Sequence, residues 1–130
     1  MDIGVDLDGT LALYDGYAGA YHIGEPVPDM LKRVKWWVEN KIEIKIFTAR
    51  AAHPEQHPGI KAWCVKYIGV ELEITNTKDW TMIELWDDRC VSIEPNTGRI
   101  LSVVPLPHHW EPTPEWAEYY SKYAKKEKDV

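Results

Sequence analysis

The sequence predicts an α/β fold, three layers built around a mainly parallel sheet, with a C-terminal β-hairpin and a terminal helix. Three observations carry that expectation. Short β-branched runs alternate with segments of helical period. Acidic and hydroxyl residues gather where those runs end. The 130 residues are 45% apolar and 28% charged, the balance of one ordinary globular domain.

Residues 1–6 read as a first strand, with Ile3 and Val5 just ahead of a Gly-containing turn. Residues 9–26 are rich in Gly and aromatics without helical period, so they read as turns. Pro28 suits the first position of a helix. Leu31, Val34 and Val38 follow at helical spacing, with Lys32, Arg33, Lys35 and Glu39 outward. Ile42, Ile44 and Ile46 alternate with Glu43 and Lys45 in a second strand.

Residues 49–58 hold two prolines and read as a loop. Residues 59–68 form a short helix with Ile60, Trp63, Cys64 and Tyr67 on one face, stopped by Gly69. Residues 70–75 and 82–86 are the third and fourth strands. Residues 91–94 and 99–103 flank Pro95-Asn96-Thr97-Gly98, a turn signal that predicts a hairpin.

From Pro105 the composition changes. Four prolines within ten residues predict an extended arm. Thr113 and Pro114 then open a helix whose Trp116, Tyr119, Tyr120 and Tyr123 share one face. The domain reading is therefore a core over 1–104, followed by an arm and aromatic helix over 105–130. That face packs on the same domain or contacts a second copy. Strand–helix alternation implies βαβ units and a Rossmann-like parallel sheet. In such sheets ligands bind beyond the C-terminal strand ends.

Composition also excludes. The longest apolar run is too short to span a membrane. A strand pattern at the very start predicts no signal peptide. Cys64 and Cys90 form no zinc-type spacing, and two thiols fit a reducing, cytoplasmic setting. The formal charge of −6 argues weakly against nucleic acid, whose phosphates demand a basic face, and the four Lys against two acids in 122–130, which leave the rest near −8, read as a Lys-rich helix end.

The chemistry gathers at strand ends. Asp6 and Asp8 are two apart after strand one, a spacing that projects both carboxylates to one side. Gly9 allows the sharp turn that follows. Asp87 and Asp88 end strand four. Carboxylate oxygens clustered without His or Cys suit Mg²⁺ rather than Zn²⁺. Thr48 ends strand two and Lys78 follows strand three. His53 and His57 read as loop residues, and Arg50 is placed to meet a phosphate or a second substrate group.

These residues, in this order, resemble the haloacid dehalogenase-like superfamily. Ile3-Gly4-Val5-Asp6-Leu7-Asp8-Gly9-Thr10 matches its first motif and Ile44-Lys45-Ile46-Phe47-Thr48 its second. Lys78 matches its third motif and Leu85-Trp86-Asp87-Asp88 its fourth. The resemblance implies a Mg²⁺-dependent phosphomonoester phosphatase acting on a phosphorylated substrate. Asp6 would be the nucleophile that forms an aspartyl-phosphate, and Asp8 the acid and then base.

Mg²⁺ would bind Asp6, the Asp8 carbonyl and Asp88, with Asp87 second in line. Thr48 and Lys78 would hold phosphate, with Lys61 the competitor for the lysine role. The gaps 10–42 and 75–82 are too short for the superfamily's cap domain, which implies a small capless type with an open site. The alternatives are a phosphotransferase of the same superfamily, or a non-catalytic phosphate-binding or interaction module that keeps the fold.

Overall fold

The computed structural model describes residues 1–101 together with Glu118, Ser121 and Ala124. The chain divides into two compact units, Met1–Asp88 and Arg89–Val130. The division falls after strand four, ahead of the boundary at 104 that composition suggested.

The first unit runs β1 (Asp2–Val5), α1 (Pro28–Glu39), β2 (Glu43–Phe47), two 3-10 turns, α2 (His57–Tyr67), β3 (Glu73–Thr75) and β4 (Met82–Trp86). The sheet order is β3-β2-β1-β4, and every pair is parallel. This is the small Rossmann-like α/β fold that the alternation predicts. β1 lies between two neighbours and all four of its residues are buried.

The pleat sorts the two faces. Ile3 and Val5 lie in register with Ile44 and Ile46. They share one core with Met30 and Val34 of α1 and with Ile60, Trp63 and Cys64 of α2. Two successive right-handed crossovers in one direction place both helices on that face. Val5, Val34 and Ile46 are fully buried, and each such side chain stabilises the fold by about 1.5–3 kcal/mol. A second helical layer has no element among the described residues.

The other face carries Asp2, Gly4 and Lys45, which alternate with those core residues. Across it runs the β3–β4 connection, residues 76–81, short for a parallel crossover. Polar contacts hold it. Lys45 Nζ lies 3.2 Å from Asp2 Oδ2 and 3.4 Å from Asp79 Oδ2. Thr81 Oγ1 donates to Asp2 Oδ2 at 2.6 Å, and the Asp2 N–H donates to the Thr81 carbonyl at 2.8 Å.

Local chemistry sets the helix ends. Pro28 opens α1 as expected. α2 starts at His57, two residues ahead of the expected Gly59, because Pro58 sits in the first turn where its missing N–H costs nothing. Gly69, at φ +99°, ends it by donating to the Cys64 and Val65 carbonyls. The expected loop after Thr48 folds into 3-10 turns Ala49–Ala52 and Pro54–Gln56. β3 is shorter than its expected 70–75, since Val70 and Glu71 are exposed and only 73–75 pair with β2.

In the second unit the expected hairpin closes, among the described residues, through an antiparallel bridge from Ile93 to Ile100, with the Glu94 N–H donating to the Arg99 carbonyl at 2.7 Å and the Leu101 N–H to the Ser92 carbonyl at 2.8 Å. Asn96 (φ +66°) and Gly98 (φ +80°) turn the chain, and Arg99 pairs with Glu94. Glu118 and Ser121 are helical. The aromatic face of Trp116, Tyr119, Tyr120 and Tyr123, and the proline arm, lie outside the described residues. Among the described residues, no helix is long and apolar enough to cross a membrane.

Candidate functional site

The chain leaves β1 and wraps around one carbonyl. Thr10, Leu11 and Ala12 all donate backbone N–H groups to the Leu7 oxygen, at 3.3, 3.0 and 2.8 Å. Leu7 is fully buried and anchors the turn, while Asp6 and Asp8 on either side stay half-exposed. Gly9 (φ +91°) is required twice over. Its backbone is left-handed, and a Cβ there would stand 2.6 Å from Asp88 Oδ2.

β4 brings the other half. The Asp6 N–H donates to the Trp86 carbonyl at 2.9 Å, which locks the two strand ends together. Oxygens of Asp6, Asp87 and Asp88 then lie within 4.8 Å of one another. The Asp6 carboxyl is pushed up to about 7, first by burial, then by its hydrogen bond to Asp88 and the charges of Asp87 and Asp88. These three residues supply only hard carboxylate oxygens at close quarters, a donor set that suits a divalent cation of the Mg²⁺ kind.

Thr10 organises this cluster, a role that the sequence reading did not assign. Its hydroxyl accepts from the Asp88 N–H at 2.9 Å and lies 3.0 Å from Asp88 Oδ1 and 3.3 Å from Asp6 Oδ2. Asp8 is turned to a different partner. Arg50 Nε donates to its Oδ2 at 2.8 Å and Arg50 Nη2 to its Oδ1 at 2.9 Å, a two-pronged grip. The Asp8 carboxylate is therefore not part of the Asp6–Asp87–Asp88 group. The spacing of two does not make the pair act as one.

Arg50 also differs from its expected use on phosphate. Nη1 donates to the Ala20 carbonyl (3.1 Å) and to Gln56 Oε1 (3.4 Å), and Nη2 to the His22 carbonyl (2.8 Å). Those carbonyls belong to residues 14–23, a loop pinched at its base. There Leu13 N–H donates to the Glu25 carbonyl at 2.8 Å and Ala12 bridges Pro26. Gly24 permits the pinch, because a Cβ would strike the Leu13 carbonyl oxygen. Trp63 Nε1 donates to the Gly24 carbonyl at 3.0 Å and ties the loop base to α2. A cleft lined by Asp8, Tyr14, Tyr17, His22 and Arg50 lies under the loop.

The remaining candidates fall as follows. Thr48 is buried at the end of β2, where its hydroxyl accepts from the Arg50 N–H at 3.2 Å. Lys78 is exposed on the β3–β4 connection, and Lys61 is exposed on α2. No ion pair joins either lysine to Asp6. His53 is exposed, and His57 Nε2 bonds the Ala51 carbonyl at 2.8 Å, so neither joins a ligand cluster among the described residues.

No protein-family model matches the chain, and no curated protein matches its sequence. A solved structure does match: a conserved protein from Bacteroides thetaiotaomicron. It is 21% identical, the match covers 99% of this chain and 95% of that one, and the TM-score is 0.53. At that identity the likeness speaks for the fold alone.

Proposed function

We propose that the chain is a Mg²⁺-dependent phosphomonoester phosphatase with Asp6 as its nucleophile. One observation carries the reading: Asp6 shares its oxygens' surroundings with Asp87 and Asp88 at the C-terminal edge of a parallel sheet. Asp6, Asp87 and Asp88 would hold the cation. Its positive charge offsets the repulsion between an anionic nucleophile and an anionic ester.

The chain's own residues then divide the work. An Asp6 oxygen forms a bond to phosphorus as the ester P–O bond breaks, and the departing alkoxide takes its proton from Asp8. A water then attacks phosphorus and gives its proton to Asp8. The bond to Asp6 breaks, and inorganic phosphate leaves. Arg50 takes one lone pair on each Asp8 oxygen, so a second pair on each stays open for proton transfer. Thr48 and Lys78 are the proposed partners of the phosphate oxygens. The test is release of phosphate from p-nitrophenyl phosphate with and without Mg²⁺, for the native chain and Asp6→Asn. Equal rates in the two proteins end the nucleophile assignment.

A further inference from the structure

We propose that Arg50 is a positioning residue that makes closure of the loop at residues 14–23 and orientation of Asp8 a single event. A guanidinium has five N–H donors. All five are used here: two on the Asp8 carboxylate, two on the Ala20 and His22 carbonyls, and one on Gln56 Oε1. No donor is left for a phosphate, so Arg50 acts through what it holds. Its planar fork fixes the Asp8 carboxylate along two parallel bonds, and the same plane closes the loop through main-chain oxygens. Any side chain on the loop preserves those acceptors, so the latch reads the loop's path and not its sequence.

The two halves depend on each other. A loop that swings away strips Arg50 of the Ala20 and His22 acceptors and frees the guanidinium to rotate, which releases Asp8. A loop that closes restores the fork and holds the Asp8 carboxylate still at the wall of the small cleft that it lines with Tyr14 and Tyr17. Gly24 sets the hinge at the base, where the chain passes against Leu13. The loop after β1 is thus fully latched only when the proposed proton-transfer group is in place. Lysine cannot replace this arginine, because three donors at one point cannot grip a carboxylate on two prongs and span two carbonyls.

The catalytic half of the inference rests on the proposed role of Asp8, so the test has two arms. In the first, hydrogen exchange of the full chain is compared for the native protein, Arg50→Lys and Asp8→Asn. Exchange of the His22 and Leu13 N–H groups, which the closed loop bonds to the Gly19 and Glu25 carbonyls, should rise about 10-fold or more in both variants, while β1 and β2 keep their protection. Native-like protection of the loop in either variant overturns the shared latch, whether or not the protein is an enzyme.

In the second arm, Arg50→Lys is assayed on an alkyl phosphate and on 2,4-dinitrophenyl phosphate, whose leaving group needs no proton. Turnover of the alkyl ester should fall about 100-fold and that of the aryl ester less than about 5-fold. Equal losses on both overturn the positioning of Asp8. If the native chain hydrolyses neither ester, the phosphatase reading falls, and the exchange arm alone decides the latch. Should Arg50→Lys fail to fold, Asp8→Asn carries that arm.

Discussion

β1 carries a carboxylate cluster at each end, and the two are built on opposite principles. At its start, buried Asp2 meets Lys45 and Thr81. Lys45 is held protonated well above the usual lysine range, first by its hydrogen bond to Asp2 and then by Asp2, Asp79 and Glu73 charges. The negative charge finds its counter-charge inside the chain. Past its other end, oxygens of Asp6, Asp87 and Asp88 crowd within 4.8 Å of one another, and the Asp6 carboxyl is pushed up to about 7 by burial, its hydrogen bond to Asp88 and the neighbouring charges. One carboxylate is satisfied by a neighbouring ammonium, whereas the other three are brought together against their mutual repulsion. The first cluster is structural, and the second is the candidate site.

Substitutions test that contrast. The largest expected effect is on chemistry: Asp6→Asn should lower Mg²⁺-dependent phosphate release by more than about 10³-fold, read in a steady-state assay, while Asp2→Asn leaves the rate per folded molecule near native. Next is stability. Asp2→Ala removes one of the two carboxylate acceptors of Thr81 and the nearest acceptor of Lys45, and should cost about 1–3 kcal/mol in urea denaturation. A variant as stable as the native chain would remove the structural role of the first cluster. Asp88→Asn should do the reverse, raising metal-free stability by about 1 kcal/mol by relieving repulsion, and should abolish the rise in melting temperature on adding Mg²⁺.

The smallest expected effect is a pH dependence. Asp6 is pushed up to about 7 from an ordinary 3.8, so between those values the folded chain holds a proton that the unfolded chain has lost. Its contribution to metal-free stability is complete at low pH and is lost as pH rises through about 7. A cation displaces that proton. The Mg²⁺-induced gain in melting temperature should therefore be larger at about pH 8 than at about pH 5.5. Equal gains would detach Asp6 from the cation.

What the sequence disclosed follows the range of the forces involved. α1 begins at Pro28 and β4 covers Met82–Trp86 as read from propensity, because proline and alternation act locally. The Asp6–Asp87–Asp88 grouping was legible too, since strand ends converge by topology. The partner of Asp8 was not. Arg50 stands 42 residues from it, and its other carbonyl partners are 28 and 30 residues away. Nothing in the local pattern separates a phosphate-binding arginine from one that is already fully occupied. The hairpin was legible because its signal is local. Asn96 and Gly98 turn the chain, and Ile93 then bridges Ile100 in antiparallel fashion.

The pairing of β1 with β4 also sets a chronology. Thr10 and Asp88 are joined by hydrogen bonds across 78 positions of sequence. A chain growing from the ribosome completes β1, both helices and β2 well before Asp88 emerges. Long loops close late, because their entropy is lost before the contacts form. The acidic cluster exists only once β4 has docked beside β1, so completing the sheet and completing the cluster are one step. Partly made chains carry the first motif without its counterpart, so whatever the site binds also reports that synthesis and folding of this unit have finished.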